Sequence, residues 1–256
     1  MRSYPSRSWG RCYGACWWRN ELLAREISLA ILALLLAAGG VFLFRPNWVV
    51  ALLARRSPQV AYFVESGEPV VALTIDDGPD PVTTAKILDV LKQHGARATF
   101  FLITSHVAGS EEAVARAVEE GHELANHLTT DEPSILLGGS EFEQRLLESD
   151  GVLSQFADVH WFRPGSGWYN ARMLSILDRH VYRCALGSVY PFDPQLPSAW
   201  FAARYVLSNV RPGSIIVLHD CGGRGERTAI ALATILPALS RRGLRVVTLS
   251  ELEDGP

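Results

Sequence analysis

The feature that most constrains this chain is a strand-then-helix alternation that starts at Val70 and runs almost to the C-terminus. Short β-branched runs are followed by stretches with apolar residues at helical spacing. Val70–Ile75 is expected to be the first strand. Thr83–Gln93 is expected to be its helix, with Ile87, Leu88 and Leu91 on one face and Gly95 as the stop. Further strands are expected at Ala98–Ile103, His122–Asn126, Val159–Arg163, Tyr182–Gly187, Ser214–His219 and Arg245–Leu249. Helices are expected at Glu111–Glu120, Ser140–Phe156, Ala171–Arg179, Ser198–Asn209 and Arg227–Arg241, and Ser140-x-x-Glu143 has capping-box spacing. Parallel neighbours need crossover helices, so this order implies an α/β fold on a parallel sheet. About 190 residues is short for a full eight-fold barrel and suits a reduced one.

Ahead of the alternation lies a short tail, residues 1–26, and then Ile27–Phe44, 18 residues without a charge. A helix of that length spans roughly 27 Å, close to a bilayer's hydrocarbon core. Arg19 and Arg25 precede it, Arg45, Arg55 and Arg56 follow, and Trp17, Trp18 and Trp48 sit where interfacial aromatics belong. The segment reads as a transmembrane anchor. A cleaved signal peptide, with Ala37-Ala38-Gly39 near the cut, is the alternative, while a core helix would normally show the polar stripe that is missing here. Residues 45–67 read as a linker containing Pro46 and Pro58, and residues 68–252 as the folded domain.

Composition agrees with that division. The chain is 48% hydrophobic and 20% charged, which suits a sizeable core and not a disordered segment. A net charge of −3 without like-charge runs excludes the usual signature of a nucleic-acid binder. Cys12 and Cys16 have no matching downstream pair or His cluster, so they do not make a zinc finger, and their place beside the apolar segment suits acylation. Cys184 and Cys221 are open to two readings, a disulfide or two buried thiols.

Polar residues gather at the expected strand ends. Asp76-Asp77 closes the first strand, His127 the third, Arg163 the fourth, Asp193 follows the fifth, and His219-Asp220 closes the sixth. In parallel α/β folds ligands bind at the carboxyl ends of the strands. Two adjacent carboxylates repel, so each needs its own counter-charge. A divalent metal on one and an arginine beside the other would provide them. His127 and Asp131 are four apart, so a helical turn or tight loop would aim both at one point. With Asp77 they form a three-ligand set that leaves positions open for water and substrate, as in a catalytic metal site.

Thr74-Ile75-Asp76-Asp77-Gly78-Pro79 resembles the first signature of the NodB-type polysaccharide deacetylases, carbohydrate esterase family 4. Gly121–His127 is similar to the family's second motif, Phe162–Trp168 to its third, Ser188–Asp193 to a degraded fourth and Leu218-His219-Asp220 to its fifth. The resemblance implies a distorted (β/α)7 barrel, a divalent ion (commonly zinc) and an acetylated glycan substrate, chitin-like or peptidoglycan, that loses N- or O-acetyl groups. It implies that Asp76 is the general base, oriented by Arg163, and that Asp77 and His127 are metal ligands. His219 would be the general acid, tuned by Asp193, and a backbone N–H near Ser166 would support the oxyanion. Such a polymer places the domain outside the cell or in a lumen, with the N-terminus inside.

The chain also departs from the family. Asp131 stands where a second His is usual, Leu128 replaces a Ser or Thr, and Pro194 replaces a Trp. Trp161, Trp168, Tyr169 and Tyr190 are candidates for a sugar-stacking groove or for core. An inert sugar-binding relative would have lost the base, the metal aspartate or the acid, and Asp76, Asp77 and His219 are all present. A hydrolase of a smaller amide is the other alternative.

Overall fold

The computed structural model describes residues 24–35, 37, 39, 40 and 47–255. The chain forms two compact units, Met1–Leu52 and Leu53–Pro256. The described residues 24–35, 37, 39 and 40 are helical (α1), with Ile27, Leu29, Ile31, Leu32, Leu34 and Leu35 exposed. Among the described residues no helix is long and apolar enough to cross a membrane. Residues 36, 38 and 41–44 of the expected anchor, and Cys12 and Cys16, lie outside the described residues.

The stretch 45–67, read as a linker, contains helix α2 (Asn47–Arg56) and strand β1 (Val60–Ala61). Seven strands follow: β2 (Val70–Asp76), β3 (Thr99–Leu102), β4 (Glu123–Asn126), β5 (Trp161–Phe162), β6 (Arg183–Ala185), β7 (Ile215–His219) and β8 (Arg245–Val247). Each lies inside or within one residue of its expected segment. The helices between them are α3 (Thr83–Gln93), α4 (Glu111–Glu119), α5 (Gly139–Leu153), α6 (Ala171–Arg179), α7 (Ala199–Asn209) and α8 (Gly222–Arg241), with α9 (Leu249–Asp254) at the end.

All pairings between the described strands are parallel, in the order β1-β6-β5-β4-β3-β2-β7, with β8 beside the N-terminal half of β2. The sheet curls, and one parallel bridge, Val189 with Ile216, spans the gap between the chain after β6 and β7. Successive residues of a strand face opposite sides. One side carries Val70, Ala72, Phe101, Ala125, Trp161, Ala185 and Ile215, the apolar filling of the curl. Leu249 and Leu252 of α9 pack into the same cluster. The other side carries Leu73, Ile75, Phe100, Leu124 and Leu218, buried together with Ile87, Leu88, Leu91, Leu146 and Leu232 of the helices.

The same alternation places the polar strand ends. Residues 70, 72, 74 and 76 share the inner face, as do 215, 217 and 219. Register then sets Asp76 opposite His219, and Asn126 opposite Phe162, so that His127 and Arg163 follow side by side. The curl is therefore apolar through its depth and ionisable at its rim.

Capping differs from expectation. Ser140 does not cap α5: Gly138 holds that position and Glu143 pairs with Arg179 and His180. The capping box belongs to α9, where Thr248 and Glu251 exchange side-chain-to-backbone bonds. Cys184 is buried and Cys221 half-buried, and both are free thiols.

Candidate active site

Asp76 ends β2 on the inner face and is buried, at 3% exposure. Its Oδ1 accepts from Arg163 Nη1 at 2.5 Å. The same Nη1 donates to Thr74 Oγ1 at 2.8 Å, and Nε donates to the Ala185 carbonyl at 3.0 Å. The guanidinium also lies 4.0 Å from the centre of the Phe101 ring. Arg163 is thus fixed by β2, β3 and β6 together, with its charge directed at one carboxylate oxygen.

Asp77 is turned another way. Its φ of 70° reverses the chain at the strand end, so its side chain meets a different set of partners from Asp76. Oδ1 lies 3.4 Å from His127 Nε2 and Oδ2 accepts from Arg224 Nη1 at 2.7 Å. Burial alone would raise this carboxyl. The hydrogen bond and charge of His127, helped by His219 and Arg224, outweigh it and bring Asp77 down to about 2. The Asp77 carbonyl sits 2.9 Å from His106 Nδ1, which pins the turn.

His127 lies 2.7 Å through Nδ1 from the Arg163 carbonyl. A proton on Nδ1 is donated there, and Nε2 is the nitrogen that faces Asp77. Burial would lower this imidazole, but Asp77 by hydrogen bond and charge, with Asp76, raises it. A proton on Nε2 is therefore favoured beside Asp77.

His219 and Asp193 form the opposite wall. Nδ1 of His219 is 3.0 Å from both carboxylate oxygens of Asp193, and its backbone N–H donates to Oδ2 at 3.0 Å. Burial would lower His219. The Asp193 hydrogen bond and charge, with Asp76 and Asp77 beyond, raise it above the ordinary range. Tyr190 and this ring make a T-shaped contact, centroids 5.6 Å apart. Asp220 plays a different part, accepting from Thr83 and Thr84 of α3 and from the Cys221 N–H, which ties α3 and α8 to the end of β7.

Asp131 does not join this group. Among the described residues no cluster of three or more His, Cys, Asp and Glu side chains is disposed to hold a metal ion. The cause is local. Asn126 Oδ1 accepts the Leu128 N–H at 2.8 Å, an Asx turn around His127, and Leu128 follows at φ 66°. The chain leaves as a loop, bonded at Leu128 and Thr129 to the backbone of Thr104 and Ser105, and Asp131 ends up exposed. The helical turn that would have aimed both residues at one point does not form.

Other candidates separate as well. Trp161 is core, its Nε1 donating to Ser250 Oγ at 2.9 Å. Trp168 is exposed, and Tyr169 shares a 2.8 Å hydroxyl bond with Tyr62. Ser166, at φ 62°, is exposed beside Trp168. Arg224 and His106 were not legible as site residues. Arg224 sits in Gly222-Gly223-Arg224-Gly225, a run that reads as loop but forms the first turn of α8.

Five non-glycine residues next to these groups adopt positive φ: Asp77, Leu128, Ser166, Phe192 and Cys221. Left-handed backbone of this kind costs of order 1–3 kcal/mol per residue and clusters where function fixes geometry.

A family model described as polysaccharide deacetylase matches residues 64–185. A peptidoglycan-N-acetylglucosamine deacetylase of Bacillus cereus is 34% identical over 196 residues, 75% of this chain and 92% of that protein. The chain belongs to the polysaccharide deacetylase family. A chitooligosaccharide deacetylase of Sinorhizobium fredii is likewise 34% identical, over 73% of this chain and 93% of its own length. Among solved structures, a peptidoglycan N-acetylglucosamine deacetylase bound to a hydroxamic acid superposes with a TM-score of 0.74 at 31% identity, covering 77% of this chain and 94% of that one. A family 4 acetyl xylan esterase from Clostridium thermocellum, in complex with a cobalt ion, gives 0.67 at 31% identity over 72% and 89%. This deacetylase family member is a hydrolase acting on carbon–nitrogen bonds, and each of the five sequence motifs contributes a residue to the rim: Asp76 and Asp77, His127, Arg163, Asp193 and His219.

Proposed function

We propose that this deacetylase removes N-acetyl groups from an N-acetylglucosamine-containing glycan, with Asp76 as general base and His219 as general acid. One observation carries the reading. Register sets Asp76 and His219 opposite each other on the inner rim, and each is held by its own partner, Arg163 or Asp193.

Arg163 occupies Asp76 Oδ1, so Oδ2 is the oxygen that takes the proton from the attacking water. Asp193 holds His219 by Nδ1, so Nε2 delivers a proton to the departing amine, and acetate and a free amino sugar result. The Ser166 N–H, on the exposed turn, is the donor for the oxyanion. The donor set suits a divalent ion: a carboxylate oxygen and an imidazole nitrogen stand 3.4 Å apart. Held by Asp77 and His127, such an ion, zinc by the mixed nitrogen–oxygen character, would polarise the amide carbonyl and the water. The exposed face of Trp168, beside Ser166, suits the apolar side of a pyranose ring. Of the two relatives reported above, one is named a peptidoglycan-N-acetylglucosamine deacetylase and the other a chitooligosaccharide deacetylase. The uncharged span 27–44 supports a membrane-held domain facing a polymer outside the cell or in a lumen.

The test is acetate release from N-acetylglucosamine oligomers by the full chain. Activity is expected in the membrane fraction, lost on complete chelation and restored by zinc or cobalt. Turnover that persists without metal would reject the metal, and activity confined to the soluble fraction would reject the anchor. A pH profile checks the acid. Because Asp193 raises His219, Asp193→Asn should move the alkaline limb of the rate profile to lower pH. An unmoved limb would remove His219 from the role.

A further inference from the structure

Each of the two adjacent aspartates has an arginine of its own. Arg163 matches Asp76 at 2.5 Å and Arg224 matches Asp77 at 2.7 Å. Two carboxylates and two guanidiniums balance, so the acidic pair is neutralised by protein groups alone. Asp77 also faces His127 at 3.4 Å, while His219 acts on it from farther off.

The placement of Arg224 is built. Its backbone N–H bonds to the Cys221 carbonyl in the first turn of α8. That turn presses against β7 and α3 so closely that a Cβ on Gly225 would lie 2.2 Å from Asp220 Oδ1 and 2.3 Å from Thr83 Oγ1. Only glycine permits the approach that carries Arg224 to Asp77. The two partners are unequal in exposure, 31% for the Arg224 side chain and 8% for Asp77. The arginine is open to solvent and the aspartate is largely covered.

We propose that Arg224 is a resident counter-ion that sets how tightly the chain holds a divalent metal: it neutralises Asp77 in the metal-free protein and opposes the metal's charge in the loaded one. The proposal rests on Asp77 and His127 being the ligands. Catalytic zinc sites usually have three protein ligands, whereas among the described residues no group of three or more His, Cys, Asp and Glu side chains is disposed to hold an ion. Two ligands and a nearby fixed cation make an exchangeable site. The metal must compete with Arg224 for Asp77.

The experiment uses the full chain stripped of metal, titrated with zinc against a chromophoric chelator. Cobalt absorption serves as a second readout of coordination, and circular dichroism melts establish that each variant is folded. Arg224→Gln is expected to bind zinc at least about tenfold tighter than wild type, while Arg224→Lys, which keeps the charge but not the planar fork, stays near wild type. Equal or weaker binding by a folded Arg224→Gln overturns the proposal. His127→Ala separates the causes. If it abolishes binding while Arg224→Gln matches wild type, the ligand reading stands and Arg224 has no such role. If it binds zinc as well as wild type does, the ligand reading and the proposal both fall.

Discussion

Asp76→Asn is expected to reduce turnover by about 10²–10⁴-fold, the range that loss of a positioned general base produces. Asparagine preserves the shape of the side chain and still accepts from Arg163, so the fold and the rim survive. What disappears is the ability to take a proton. The diagnostic is the combination of kcat and metal binding, because Asp77 and His127 are untouched. Zinc affinity measured by chelator competition should remain within a few-fold of wild type while kcat collapses. If acetate release stays above a tenth of the wild-type rate, another group takes the proton, and the assignment drawn from the Asp76–His219 register is wrong.

The second large effect concerns stability. Arg163→Met removes the cation from a pair whose side chains are only 4% and 5% exposed. Breaking a buried ion pair by deleting one member costs about 3–5 kcal/mol, because the remaining charge is left uncompensated. For a domain near 200 residues this corresponds to a melting-temperature drop of roughly 6–20 °C. The lost bonds to Thr74 and Ala185 add to the effect. A thermal melt of the double variant, Asp76→Asn with Arg163→Met, should recover a large share of the loss, since neither charge of the pair then remains. A melting temperature within 2 °C of wild type for the single variant, on the order of 1 kcal/mol or less, would show that the pair is not the keystone of the rim.

Much of this arrangement was legible in the chain itself, and the reason is periodicity. The two-residue alternation that makes Val70, Ala72 and Ile215 core also fixes the side on which Asp76 and His219 emerge. Strands and their facing were therefore readable, and so were the residues at their ends. Loop geometry was not. Asp131 looked like a ligand because four residues equal one helical turn, whereas the Asx turn closed by Asn126 carries the chain away as a loop. Arg224 was hidden because three glycines within four residues read as a loop, while close packing against Asp220 makes them the start of α8. Trp161 was ambiguous until its register beside Arg183 set it in the apolar interior. Strand β1 escaped notice because two residues carry no period.

That short strand has a consequence for how the sheet survives as a separate molecule. A parallel sheet that ended at β6 would present a row of unpaired amides and carbonyls along its outer border, open to any other chain able to add itself there. Val60 and Ala61 close that border against Cys184 and Ala185, and the Ala61 carbonyl receives the Leu186 N–H. A fragment begun at residue 68 would keep every catalytic group named above and still lose this cover. The residues that look like a tether are also the guard against self-association.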